Sequence, residues 1–197
     1  MSQFLETIQL CDGKFMNLLG HQARLERTMY EYYPSVKIPS LVKSLNEIDF
    51  PKVGLFKCRV IYDSQIRKIE FHPYSLPSIR SLKIIETNIT SLAFKLLDRT
   101  DYQNAFSKKG ECDDVLMVKN GLLTDTSYCN IALFDGQKWY TPQIPLLYGV
   151  NRAQLIENKK IIERNIAIDE LKNYQRIALF NAMIAFGEIE LEINSFS

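Results

Sequence analysis

An α/β (α+β) fold in two domains is what this sequence predicts, on three observations. Short runs rich in β-branched and aromatic residues are joined by tight-turn pairs such as Asp12-Gly13, Asp63-Ser64, Asn120-Gly121 and Asp135-Gly136. Segments whose apolar residues recur at helical spacing lie between those runs. Pro73 and Pro77 interrupt the pattern, and there we place the boundary between a small N-terminal α+β domain, 1–76, and a larger C-terminal domain, 77–197.

Taken in order, residues 3–10 have strand composition, Asp12-Gly13 turns the chain, and 15–18 returns. Leu25, Met29 and Tyr32 then recur with Arg24, Glu26, Arg27 and Glu31 between them, predicting an amphipathic helix over 21–33 that stops before Pro34. A shorter helix follows at 40–46. Strands at 53–61 and 66–74 form a hairpin. Beyond the boundary the pattern predicts a strand at 82–86 and a helix over 91–106. Strands at 115–118, 130–134 and 138–141 come next, with turns between them that favour an antiparallel or mixed sheet. A helix at 151–158, a strand at 161–166, a short helix at 169–173 and strands at 176–180 and 187–193 complete the chain.

Composition narrows the partners. At 197 residues and 46% hydrophobic, the chain can bury a sizeable core. Its 24 basic and 23 acidic residues leave a net charge of +1 with no block of one sign, which argues against nucleic acid or a membrane as partner. Cys11, Cys58, Cys112 and Cys129 lack C-x-x-C spacing, and only His21 and His72 could join them, so no metal site is expected and the thiols read as reduced and mostly buried. The N-terminus has neither the basic start nor the apolar run of a signal peptide, and no stretch is long and apolar enough to span a bilayer. A cytoplasmic location is the expectation.

Three segments combine residues that could carry chemistry: Lys95 in Ala93-Phe94-Lys95-Leu96-Leu97-Asp98-Arg99, Asp125 in Leu123-Thr124-Asp125-Thr126-Ser127-Tyr128-Cys129-Asn130, and the turn Gly149-Val150-Asn151-Arg152. Singly each has a plain reading. Lys95 with Arg99 four residues on suits a wet helix face, Thr124 to Ser127 suits a polar turn, and Gly149 suits an ordinary bend. Arg24, in His21-Gln22-Ala23-Arg24-Leu25, would equally fit the solvated side of its helix, paired with a neighbouring acid. Chemically, an amine near a cation loses its proton more easily. Amides at a helix start bind phosphate.

In this order and spacing the segments resemble the class IV aminotransferase family, the fold shared by branched-chain and D-amino-acid aminotransferases and by 4-amino-4-deoxychorismate lyase. The resemblance runs from Phe4-Leu5-Glu6-Thr7-Ile8 to the C-terminus. It implies the two-domain fold of that family (D-amino-acid aminotransferase-like), here N-terminally shortened, with pyridoxal 5'-phosphate held between the domains and a homodimer as the assembly. Lys95 is then the cofactor lysine and the group that moves the substrate proton. Asp125 faces the pyridine nitrogen, where the family usually has glutamate in Thr-Glu-x-x-x-x-Asn. Val150 and Asn151, similar to the centre of the family's Gly-Ile-Thr-Arg, hold the phosphate through their amides, and Arg24, matching His-x-x-Arg-Leu, completes its binding.

Asn181-Ala182-Met183 stands where the family often offers a hydroxyl to phosphate, a contact Ala182 cannot make. The segment from Leu5 to Lys14 is most similar to the lyase branch, in which a threonine near the cofactor assists proton transfer; Thr7 is the matching residue. The expected function is a lyase acting on a small-molecule amine, releasing pyruvate from aminodeoxychorismate to leave 4-aminobenzoate. A class IV aminotransferase for a branched-chain or D-amino acid shares every cofactor residue, and a cofactor-binding protein without catalysis is the third reading.

Overall fold

The computed structural model describes residues 2–90 and 92–193. The chain divides into two compact units, Met1–Leu76 with Ala93–Asp98, and Pro77–Leu92 with Arg99–Ser197.

In the first unit, β1 (Phe4–Cys11), β2 (Lys14–Phe15), α1 (Leu18–Tyr32), α2 (Leu41–Asn46), β3 (Leu55–Tyr62) and β4 (Ile66–Pro73) follow one another. The strands make one antiparallel sheet in the order β2-β1-β3-β4, with β1 and β3 paired from Phe4↔Tyr62 to Cys11↔Leu55. The β1–β2 turn needs positive φ at Asp12 and Gly13 (46° and 76°), and the Asp12 carboxylate fixes it by accepting from the Gly54 amide at 2.8 Å. The returning strand is shorter than expected because Asn17, in the left-handed region at φ 47°, swings the chain into α1 three residues earlier than the apolar pattern suggests. Ser40 caps α2 by accepting from the Lys43 amide. Leu25, Met29, Leu41 and Leu45 close over Phe4, Ile8, Val60 and Tyr62 to form this unit's core. Truncating any one of the buried leucines to alanine should cost about 2–5 kcal/mol.

The helix expected over 91–106 is much shorter. Ser91 lies outside the described residues; of 92–106 only Thr100–Phe106 is α-helical, and Ala93–Asp98 runs as irregular, non-helical chain against β1 in the first unit, rather than in the C-terminal one. The Lys95 carbonyl accepts from the Leu5 amide and the Leu97 amide donates to the Gln3 carbonyl, both at 2.9 Å, around an antiparallel bridge of Phe4 to Leu96. These bonds satisfy the β1 edge that β2 leaves open, and Phe94 and Leu96 add to the apolar core, which outweighs local helix propensity.

The second unit contains β5 (Leu82–Glu86), α3 (Thr100–Phe106), β6 (Asp114–Lys119), β7 (Leu122–Thr126), β8 (Asn130–Phe134), β9 (Trp139–Pro142), α4 (Val150–Glu157), β10 (Ile162–Arg164), β11 (Arg176–Phe180) and β12 (Ile189–Glu192). Its sheet is mixed. The order is β10-β9-β8-β7-β6-β5, with β11 joined to β8 and β12 to β11, and β5–β6 and β9–β10 are the parallel pairs. Leu116, Leu123, Ile131, Leu133, Ile177 and Leu179 pack its main core. The run Thr124 to Thr126, read from the sequence as a polar turn, is instead a buried end of β7. Among the described residues no helix is long and apolar enough to cross a membrane, and no group of three or more His, Cys, Asp or Glu side chains is placed to hold a metal ion.

Candidate active site

In the first unit the chemistry gathers around β1. Strand alternation sends Glu6 and Thr7 to opposite faces, and both are buried. Glu6 receives three hydrogen bonds: Arg24 Nε to Oε1 at 2.8 Å, Arg24 Nη2 to Oε2 at 2.6 Å and His21 Nδ1 to Oε2 at 2.5 Å. His21 and Arg24 lie three residues apart on α1, so they share the helix face turned inward. Arg24 is therefore not on the wet side of its helix. Burial works to raise the Glu6 carboxyl, but the Arg24 charge and the bonds from both partners overcome it and hold the group down at about 2. Burial pushes the His21 imidazole below its usual value despite Glu6, so His21 is neutral at pH 7. On the other face of β1, half-buried Lys95 donates from Nζ to Thr7 Oγ1 at 3.0 Å.

Arg99 does not stand one helical turn from Lys95, since 95 to 98 is not helical. It caps α3, lays its guanidinium 3.4 Å above the Tyr102 ring and donates to the Ser127 carbonyl at 3.0 Å.

In the second unit a carboxylate and a helix start are wired together. Asp125 and Asn130 are opposed where β7 meets β8. Asp125 Oδ1 accepts from Asn130 Nδ2 and Oδ2 from the Leu147 amide, each at 2.9 Å, with 3% of the residue exposed. Burial drives this carboxyl up and the two donors draw it partly back, leaving it at about 6. Gly149 leads α4 and offers no side-chain cap to the amides that follow. The Asn151 side chain is spent on the protein, donating to the Asn181 carbonyl at 2.9 Å. Asn181 is a staple in turn. Its Oδ1 accepts from the Met183 and Ile184 amides, and its Nδ2 donates to the Tyr128 carbonyl and Cys129 Sγ. Buried Arg152 donates to the Pro142 carbonyl and to Glu163.

Against known proteins, the model of the amino-transferase class IV family matches residues 3–190. The chain belongs to the class IV aminotransferase family. Members of this family are enzymes that depend on pyridoxal phosphate, and this chain is one of them, a lyase or an aminotransferase. A protein of Haemophilus influenzae of uncharacterized function is 34% identical over 186 residues, covering 93% of this chain and 98% of that one. A Schizosaccharomyces pombe protein provisionally named an aminodeoxychorismate lyase is 30% identical over 203 residues, 92% of this chain and 86% of its own length. A solved structure from Haemophilus somnus 129PT, provisionally named a 4-amino-4-deoxychorismate lyase, superposes with a TM-score of 0.86 at 32% identity, over 94% of this chain and 98% of that one.

The family motifs picked out Lys95, Thr7, Arg24, Asp125, Val150 and Asn151, but two members of the hydrogen-bonded clusters escaped notice as partners. Glu6 carried a usable signal, an acid inside an apolar strand, which is seldom left unpaired. Asn130 carried one only as the closing residue of the Asp125 segment.

Proposed function

We propose that this family member is a lyase that releases pyruvate from 4-amino-4-deoxychorismate and leaves 4-aminobenzoate, using pyridoxal 5'-phosphate. The observation that carries the reading is the 3.0 Å hydrogen bond from Lys95 Nζ to Thr7 Oγ1, which pairs the one lysine in the family's cofactor position with the threonine that resembles the lyase branch. The two named lyase-like relatives support it.

The side chains suit the group. An amine with a hydroxyl beside it suits an aldehyde, a buried carboxyl that titrates near 6 suits a basic ring nitrogen, and a helix start led by glycine suits a dianion. Lys95 would hold the cofactor covalently, Asp125 its ring nitrogen, and the amides of Val150 and Asn151 its phosphate. Arg24, with two of its donors on Glu6, has its remaining Nη for the phosphate. Bound there, pyridoxal phosphate supplies a sink for the electron pair released at the substrate carbon. Once displaced by the substrate's amine, the freed Lys95 amine would take the proton from the ring carbon that bears the substrate nitrogen. The neighbouring carbon–oxygen bond then breaks, the ring becomes aromatic, and enolpyruvate leaves to be protonated to pyruvate. Thr7 orients the Lys95 amine and can pass it a proton. The substrate is a small-molecule amine and the assembly a homodimer, which light scattering would check.

Supplying cofactor-loaded protein with aminodeoxychorismate tests the reading. Equal amounts of 4-aminobenzoate and pyruvate are expected. Keto acid formed from a branched-chain or D-amino acid, with no 4-aminobenzoate, would replace it with the aminotransferase reading.

A further inference from the structure

Asn130 occupies an unusual position in the second unit. Its Nδ2 donates both to Asp125 Oδ1 at 2.9 Å and to the Leu147 carbonyl at 2.8 Å, using both amide hydrogens. The Leu147 amide closes the ring by donating to Asp125 Oδ2. The remaining atom of the Asn130 amide, Oδ1, lies against Gly149, where a Cβ would come within 2.1 Å of it. The Gly149 backbone, at φ −70° and ψ 146°, is one that any residue adopts, so no conformational demand calls for glycine there. Asn130 cannot simply swing aside, because it is 7% exposed and doubly bonded.

We propose that Asn130 is a positioning residue that locks the Asp125 carboxylate to the turn opening α4, and that Gly149 is glycine to make room for Asn130 rather than for a ligand. This rests on reading Asp125 and that turn as cofactor contacts, but the lock itself is made by the protein's own atoms alone. It fixes the spacing between the group that meets a ring nitrogen and the amides that meet a phosphate, two points that a rigid cofactor must satisfy together.

A double-mutant cycle decides it. Gly149→Ala, Asn130→Ala and the pair are compared, with Asn130→Ser as a second background should alanine leave the protein unfolded. In the cofactor-free protein, Gly149→Ala should lower the urea midpoint clearly when Asn130 is present and hardly at all when it is absent. Equilibrium dialysis against pyridoxal 5'-phosphate should show the same pattern, a loss of about tenfold or more in the first case and under about twofold in the second. The Asp125 carboxyl, followed by carbon-13 NMR, should titrate at higher pH in Asn130→Ala, because a donor that favours its ionised form is gone. Equal penalties for Gly149→Ala in both backgrounds would overturn the proposal. Absence of cofactor binding by the wild-type protein would sink the proposed function instead, and the urea cycle would still report on the lock.

Discussion

Glu6 and Arg24 meet as a two-pronged ion pair, Nε to Oε1 at 2.8 Å and Nη2 to Oε2 at 2.6 Å, with neither side chain more than 3% exposed. Two charges taken out of water are tolerable only together; removing one strands the other. Arg24→Ala should therefore destabilise the protein by about 3–5 kcal/mol in urea unfolding, whatever it does to cofactor binding. A loss below about 1 kcal/mol, the range of a solvent-exposed pair, would mean that water reaches Glu6.

The same pair sets the acid limit. A carboxyl held at about 2 when folded and 4.5 when not contributes stability that is complete above pH 4.5 and is lost as pH falls through about 2, about 3 kcal/mol in all. His21, lowered from 6.5 when folded, adds a loss that begins below pH 6.5. Asp125 acts in the opposite sense: raised from 3.8 to about 6, it binds its proton more tightly in the folded state and gives back stability as pH falls through that window. Glu6→Gln should flatten the wild-type decline between pH 4.5 and about 2. Parallel curves for the two proteins in that interval would acquit Glu6.

Most elements with a strong apolar period were legible in the sequence, among them α1, β5, β8 and β11, because burial on one face writes its spacing into the residues. What was not legible depended on partners far along the chain. Leu92, Leu96 and Leu97 have helical spacing, yet 93–98 is not helical because the open edge of β1 needs hydrogen bonds and nothing in the local residues records that need. Thr124 to Thr126 are turn-forming residues that become β7 because Leu116 and Val118 of β6 offer a ladder. For the candidate site, family motifs marked the amine, the acid and the helix start. The pairing of Arg24 with Glu6 and of Asn130 with Gly149 appears only once side chains are placed.

Lys95 should be the residue that carries cofactor. Borohydride reduction of the loaded protein followed by peptide mapping should place the label on Lys95, and Lys95→Ala should lose the yellow colour while keeping its unfolding free energy in urea within about 1 kcal/mol, since a half-buried lysine contributes little to the core. Label on Lys57, Lys108 or any other lysine would remove the assignment.

Asp125 should act as an anion. Pyridoxal phosphate affinity should fall as pH drops through about 6, where this carboxyl takes up its proton, and Asp125→Asn should bind weakly at every pH without that inflection. Asp125→Glu is expected to fall short of the wild type, since one more methylene lifts the carboxylate off Asn130 and the Leu147 amide. Full affinity and turnover in Asp125→Asn would send the search to another acid.

Thr7 offers the cleanest separation of lyase from aminotransferase. Its hydroxyl accepts from the Lys95 amine at 3.0 Å, and two functions could follow from that contact, orienting the amine or relaying a proton to the departing enolpyruvate. Thr7→Val keeps shape and strand propensity but deletes the hydroxyl, so cofactor should remain bound while release of 4-aminobenzoate falls by about a hundredfold or more, the scale of a lost acid–base contribution. Thr7→Ser restores the oxygen and should recover most of the rate, which a purely structural role for the side chain would not produce, because serine leaves the methyl group missing. If Thr7→Val turns over as fast as the wild type, the hydroxyl takes no part in proton movement and the strongest structural support for the lyase reading is gone.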